Sequence, residues 1–399
     1  MLSYIRTKQV RIINSISVDF IREKYLKKLK SKNRLVGLIG QRGVGKTTLL
    51  LQYLKQNFTI SEYIYFSADD AYIINSSICD IVDEFVKFGG KVVVIDEIHK
   101  YKNWANEIKT IYDSYRELII RFSGSSMLNI LHEKFDLSRR VVIVNVSTLN
   151  FQEYMRLSEN IELPSLDFEE ILKNHLSISS SLVFQNPTLY KNFLKYLQIG
   201  FYPFFKEDEE EYANKLFNAS DKIINEDIPS LNKIDYTHLS IFKKLIAKLV
   251  FTKKPFKVNI SSLCREFGVS HPTLNTYLNI LDDTKLLKSV KKYSKHISNK
   301  PDKLLFGNTN LLYTYANSFG VEVDIGTLRE TFFVSCFENN VYYSDIGDFI
   351  VGDTVFEIGG KGKSFKQIKD LTNSYLVIDT DYSAEENKIP LWMFGLLGS

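Results

Sequence analysis

Between Arg34 and Val146 the chain alternates five short apolar runs, residues 35–39, 63–66, 92–95, 118–122 and 141–146, with segments of helical periodicity. The runs are rich in Val, Ile and aromatic residues and do not alternate with polar ones, as strands buried on both faces require. Strand and helix in regular succession predict a doubly wound parallel α/β sheet. Such sheets deliver functional groups just beyond the carboxyl ends of their strands, so the residues following each run are the ones to inspect.

The flanking segments are patterned differently. Residues 1–33 space Ile5, Val10, Ile13, Ile16, Phe20, Ile21 and Leu26 at helical intervals among basic residues, predicting a lead-in helix or two with a solvated basic face. Residues 157–235 read as a helical lid or linker that includes an acidic run at 207–211. In residues 236–299 a helix over 239–250 precedes helical stretches at 259–269 and 270–281 and a basic hairpin from Leu286 to Lys292. Gly268 closes the second of these helices, Ser270 caps the third and Pro272 fits its first turn, which is the layout of a winged helix. Residues 300–399 read as a helix over 327–337, strands near Asp348 and Glu357, a helical turn carrying Gln367 and a strand at 374–378. The expected units are thus a lead-in (1–33), an α/β core (34–156), a lid (157–235), a winged helix (236–299) and a C-terminal α/β domain (300–399).

The chemistry is densest after the first run. Gly40, Gln41, Arg42, Gly43, Val44, Gly45, Lys46 and Thr47 form a complete G-x-x-x-x-G-K-[ST] sequence that runs into the helix formers starting at Thr48. Glycines let successive N–H groups point inward at phosphate oxygens, and the following helix adds its positive end. Lys46 is expected to reach the β- and γ-phosphates of ATP, and Thr47 to ligate Mg²⁺. The third run ends in Asp96 and Glu97. Asp96 is expected to hold Mg²⁺ through water and Glu97 to polarise the attacking water. After the fourth run, Ser125, with Ser123 as the alternative, is expected to bond the γ-phosphate or that water. Of the pair Arg139 and Arg140, the second is the candidate finger that would meet phosphate in a neighbouring subunit of a homo-oligomer or after domain closure.

The order of 40–47, 92–97, 123–126, Arg139 with Arg140 and the segment 149–154 resembles the AAA+-type ATPases of prokaryotes, in a group where the ATPase precedes a C-terminal domain of unknown function. The resemblance implies a P-loop ATPase core binding ATP and Mg²⁺. If the winged helix binds duplex DNA, His271, Thr273, Asn275 and Thr276 face the groove, while Lys285, Lys288, Lys291, Lys292 and Lys295 meet phosphates. At the C-terminus an Asp and a Glu on paired strands, with a lysine and an upstream helical Glu, suit divalent ions and phosphodiester chemistry. That pattern resembles the PD-(D/E)xK endonuclease-like core, with Glu330, Asp348, Glu357 and Gln367 at its acidic and polar positions. The family lysine, two residues after the second acid, is here Gly359, so Lys361 or Lys363 has to replace it.

A hydrophobic fraction of 44% excludes a disordered chain, and a net charge of +4 permits nucleic acid without arguing for it. Cys79, Cys264 and Cys336 are far apart and form no C-x-x-C pair, reading as reduced thiols of a cytoplasmic protein. No apolar stretch reaches the roughly 18 residues needed to span a bilayer. Three functions fit: a DNA-acting ATPase, an ATP-regulated metal-dependent nuclease, and a signalling or scaffold ATPase that binds protein.

Overall fold

The computed structural model describes residues 1–124, 137, 139–229, 234, 238–293, 301–382 and 385–398. Contacts divide the chain into two units, Met1–Thr148 and Leu149–Ser399. The boundaries expected at 156/157, 235/236 and 299/300 fall inside the second.

In the first unit, strands β1 (Leu35–Ile39), β2 (Tyr63–Ser67), β3 (Val92–Asp96), β4 (Ile119–Gly124) and β5 (Val141–Asn145) form one parallel sheet in the order β2-β3-β4-β1-β5. The unbroken apolar runs have their cause here, since β1 and β3 are buried at every position. Among the described residues this unit also has helices α1 (Leu2–Ser15), α2 (Glu23–Leu29), α3 (Lys46–Asn57), α4 (Ile78–Lys87) and α5 (Trp104–Ser114). Side chains such as Ile81, Phe85, Trp104 and Ile108 join Ile64, Val93, Ile95, Ile120 and Phe122 of the strands in one apolar core.

The edge strand β2 is covered by α1 through a side chain that imitates a peptide. Gln9 is fully buried, its Oε1 accepting from Tyr65 N at 2.8 Å and its Nε2 donating to Tyr63 O at 3.4 Å. Those strand groups would otherwise be left for another chain to pair with. Arg121 on β4, 1% exposed, ties the sheet to α2 by donating to Leu29 O at 2.8 and 3.0 Å, where the helix dipole favours a cation.

The second unit contains two sheets. The smaller is antiparallel, with β6 (Phe256–Lys257), β7 (Leu287–Val290) and β8 (Lys303–Phe306) in the order β6-β8-β7, and it accompanies helices Leu239–Phe251, Ile260–Phe267 and His271–Asp283. Ser270 Oγ accepts from Thr273 N at 3.3 Å, the cap read from the sequence. β8 lies past the expected boundary at 299/300 but pairs with β6 and β7. The larger sheet has the order β13-β12-β11-β10-β9, built from β9 (Val341–Tyr343), β10 (Phe349–Val351), β11 (Thr354–Gly360), β12 (Ser374–Asp379) and β13 (Lys388–Pro390). β9, β10 and β11 are antiparallel, whereas β11, β12 and β13 are parallel.

A buried amide organises the helices of this unit. Asn310 is fully buried, donates to Tyr196 O at 3.1 Å and Leu197 O at 2.8 Å, and accepts from Phe201 N at 2.8 Å. It thereby closes the carboxyl end of helix Leu189–Ile199, where Tyr196 O also accepts from the capping Gly200 N at 2.8 Å. Among the described residues no helix is long and apolar enough to cross a membrane.

Candidate functional site

The loop after β1 takes its shape from three positive φ angles, 152° at Gly40, 83° at Gly43 and 92° at Gly45. A Cβ on Gly40 would lie 2.3 Å from Val146 O, so that position excludes any side chain. Gly45 is the N-cap of α3 and offers no side-chain acceptor, so the first amides of the helix face the loop as an anion-binding end. Lys46 is 5% exposed, and its Nζ donates to Gly40 O and Gln41 O, each at 2.8 Å. Val44 is buried in the loop and Thr48 is exposed in the first turn of α3. Arg22 fastens the loop from outside: its guanidinium donates to Ser147 O at 2.7 Å, Thr148 O at 3.1 Å and Val44 O at 3.4 Å. The expectation of a solvated basic face fails at this residue, because its partners are carbonyls far away in the chain.

Because β4 lies between β1 and β3, the ends of three strands meet beside the loop. Asp96 is the hub. Its Oδ2 accepts from Thr47 Oγ1 at 2.6 Å and Tyr65 OH at 3.0 Å. Its Oδ1 accepts from Ser123 Oγ and, at 3.2 Å, from Glu97 N, which also donates to Ser123 Oγ at 3.1 Å. Burial and the Asp96 charge push the Tyr65 phenol far above its ordinary value, so it remains a donor. Glu97 has φ 50°, a left-handed conformation costing a non-glycine residue roughly 1 kcal/mol. The turn carries its carboxylate to 3.5 Å from His99 Nε2. Burial first, then the charges of Lys100, Arg42 and Lys46, hold the His99 imidazole down at about 3 and therefore neutral.

The paired oxygens of Thr47 and Asp96 suit a hard divalent cation, and the glycine cradle with Lys46 suits a polyphosphate. Residues 32–155 match the model of an AAA domain. The first unit thus carries a P-loop ATPase domain. Residues 190–320 match a domain of unknown function (DUF8612). The uncharacterized protein MJ1637 of Methanocaldococcus jannaschii is 29% identical over 384 residues, covering 88% of this chain and 80% of that one. Among solved structures, PCH-2 of C. elegans aligns at TM-score 0.25 and 18% identity over 40% of this chain and 45% of that one. The Hsp104–ADP complex of S. cerevisiae aligns at TM-score 0.31 and 15% identity over 71% and 46%. The chain spans less than half the length of either, and likenesses this low carry no argument.

Of the residues expected at the candidate site, one lies outside the described residues and one is not brought to it. Ser125 lies outside the described residues, and the hydrogen bonding to Asp96 falls to Ser123, the alternative. Arg140 precedes β5, where Val141 pairs with Leu35 at the start of β1. The phosphate loop follows the other end of β1, roughly 15 Å away at about 3.3 Å per residue. There Arg140 makes a two-pronged pair with Asp113, both contacts 2.9 Å, which pulls the Asp113 carboxyl down. Tyr65, Arg22 and His99 were not found from sequence; only His99, two residues past Glu97, was within reach of the motif.

In the second unit the structure gathers Glu330, Asp348 and Glu357. Glu330, from helix Ile325–Ser335, takes the Lys303 ammonium at 2.5 Å, and Asp348 lies 3.9 Å from the same ammonium. Asp348 Oδ2 accepts from Ile358 N at 2.8 Å. Glu357 pairs with Lys363, while its Oε2 is buried with no hydrogen-bond partner among the described residues. Burial raises Glu330 to about 7 against the opposing effect of Lys303, and burial with the Asp348 charge raises Glu357. A Cβ on Gly359 would lie 2.7 Å from both Cβ and Cγ of Lys363, so the stem of that lysine crosses the space the missing side chain would fill. Lys361 and Gln367 are exposed and are not seen in the cluster. Lys303 was missed because no local signal links β8 to Glu330.

The residues expected to touch DNA divide. His271 and Thr276 are exposed, Thr273 and Asn275 half-buried. Two of the expected phosphate ligands are engaged elsewhere: Lys288 Nζ donates to Glu338 O at 2.8 Å, burial lowering its pKa, and Lys292 pairs with Asp345. The long basic stems reach across to neighbouring elements, which a hairpin pattern does not reveal. Lys291 is half-buried, and Lys295 lies outside the described residues.

Proposed function

We propose that the protein is a Mg²⁺-dependent ATPase whose turnover drives movement of its other domains, and that it works on duplex DNA. What carries the ATPase part is the convergence of Thr47, Ser123, Tyr65 and the Glu97 amide on Asp96, beside the glycine cradle and Lys46. In this reading Lys46 and the loop amides hold the phosphates and Glu97 orients the attacking water. Thr47 and Asp96 hold Mg²⁺, which offsets charge on the phosphate oxygens. Glu97→Gln is expected to keep ATP binding and lose at least a hundredfold in turnover; unchanged hydrolysis would remove Glu97 from that role.

The DNA part is supported by the order helix, strand, helix, helix, strand, strand over 239–306, which suits a winged helix, and by the exposed His271 and Thr276. With Lys288 and Lys292 engaged elsewhere, few phosphates are neutralised, so binding should fall by a shallow slope with salt, near −0.9 per phosphate contacted. ATPase rate with and without duplex DNA at two salt concentrations tests this. No stimulation and no binding at low salt would leave a scaffold ATPase. A second reading, an ATP-regulated nuclease, is favoured by one observation: Lys363 runs over Gly359 and pairs with Glu357, supplying the missing lysine from four residues further on. Cleavage with Mg²⁺ or Mn²⁺ that disappears in Glu357→Ala would establish it.

A further inference from the structure

His99 follows Glu97 on the short 3-10 turn Ile98–Lys100, and its side chain is 3% exposed. An imidazole in so buried a place is costly unless its nitrogens are used. The group it faces is a carboxylate, which only accepts, so the nitrogen 3.5 Å away serves it as a donor. That separation is long for a hydrogen bond, and contacts of this kind tighten when the reacting complex forms. We propose that His99 is the positioning residue for Glu97, its Nε2–H fixing the carboxylate rotamer that orients the attacking water. The inference rests on the ATPase reading above and adds to it a residue that itself touches no substrate.

The geometry explains why a neutral donor stands here. A protonated imidazole against Glu97 would cancel the negative charge by which that carboxylate polarises water, whereas a neutral one aligns it and leaves the charge in place. Burial and the nearby Arg42, Lys46 and Lys100 keep the ring neutral. Glu97 itself leaves the strand at φ 50°, so its backbone is fixed and only the side-chain rotamers remain to be selected. The neighbouring turn supplies that selection.

The test compares His99→Gln and His99→Leu in the full chain. Both fill the buried space, but only Gln retains a donor. His99→Met replaces the Leu variant should that one not fold. Steady-state hydrolysis is measured together with equilibrium binding of ATP, alongside Glu97→Gln. The Leu variant is expected to lose at least tenfold in kcat with KM and ATP affinity within about twofold of wild type, and the Gln variant to stay within about threefold in kcat. A Leu variant that turns over like wild type, or a Gln variant as slow as the Leu variant, overturns the assignment. If Glu97→Gln is inactive while His99→Leu is active, only the role of His99 falls. If Glu97→Gln is itself active, the underlying reading falls with it.

Discussion

Each unit holds buried carboxyl groups in a network of side chains, and the two networks are built in opposite ways. Asp96 is held by four neutral donors, the Thr47, Tyr65 and Ser123 hydroxyls and the Glu97 amide. In the second unit the lysines themselves serve the carboxylates, Lys303 on Glu330 and Lys363 on Glu357. A carboxylate fixed by neutral donors keeps its charge for a cation brought in from solution. One neutralised by the chain's own ammonium group does not, and the buried Glu330 is raised to about 7 even so. The first arrangement is suited to binding and turnover. The second sets two lysines among three carboxyl groups, so any metal would have to compete with Lys303 and Lys363.

The comparison breaks most sharply at its lysines. Lys46→Ala is expected to weaken ATP binding at least a hundredfold and abolish hydrolysis, with folding retained; ATP titration and a phosphate-release assay measure it. Lys303→Met should leave ATP binding within about twofold. Its effect is on stability, since it strands a buried carboxyl, a loss on the order of 3 kcal/mol read from denaturant midpoints. Because Glu330 escapes that loss by protonating, the destabilisation should be larger at pH 8 than at pH 6. The smallest effect is a pH dependence of the wild type. A carboxyl whose folded pKa is raised from near 4.5 to about 7 favours the folded state fully below about 4.5, and that contribution is lost as pH rises through about 7. Chemical stability should therefore decline from pH 5.5 to 8, and Glu330→Gln should flatten the decline. A Glu330→Gln slope equal to that of wild type would show that other groups cause it.

Legibility differs between the clusters for the same reason. The candidate phosphate site was readable because a contiguous loop and one strand end supply Lys46, Thr47, Asp96 and Glu97, and Ser123, the alternative foreseen past the fourth run, bonds to Asp96. In the second unit Glu330, Asp348 and Glu357 were foreseen, and Lys363 was one of two lysines offered for the missing position, but Lys303 was not. Lys303 belongs to another sheet, and Lys363 reaches back only because Gly359 leaves room.

The sequence by itself determined the phosphate loop, the apolar strands and their acidic ends, and the cap at Ser270, because each depends on residues within one turn or one strand of each other. Tertiary structure alone decided that β4 separates β1 from β3, that Gln9 completes the edge of β2, that Arg22 fastens the loop, and that Lys288 and Lys292 reach Glu338 O and Asp345. These contacts join positions tens of residues apart, where local propensity carries no information and only the packing of whole elements brings donor to acceptor.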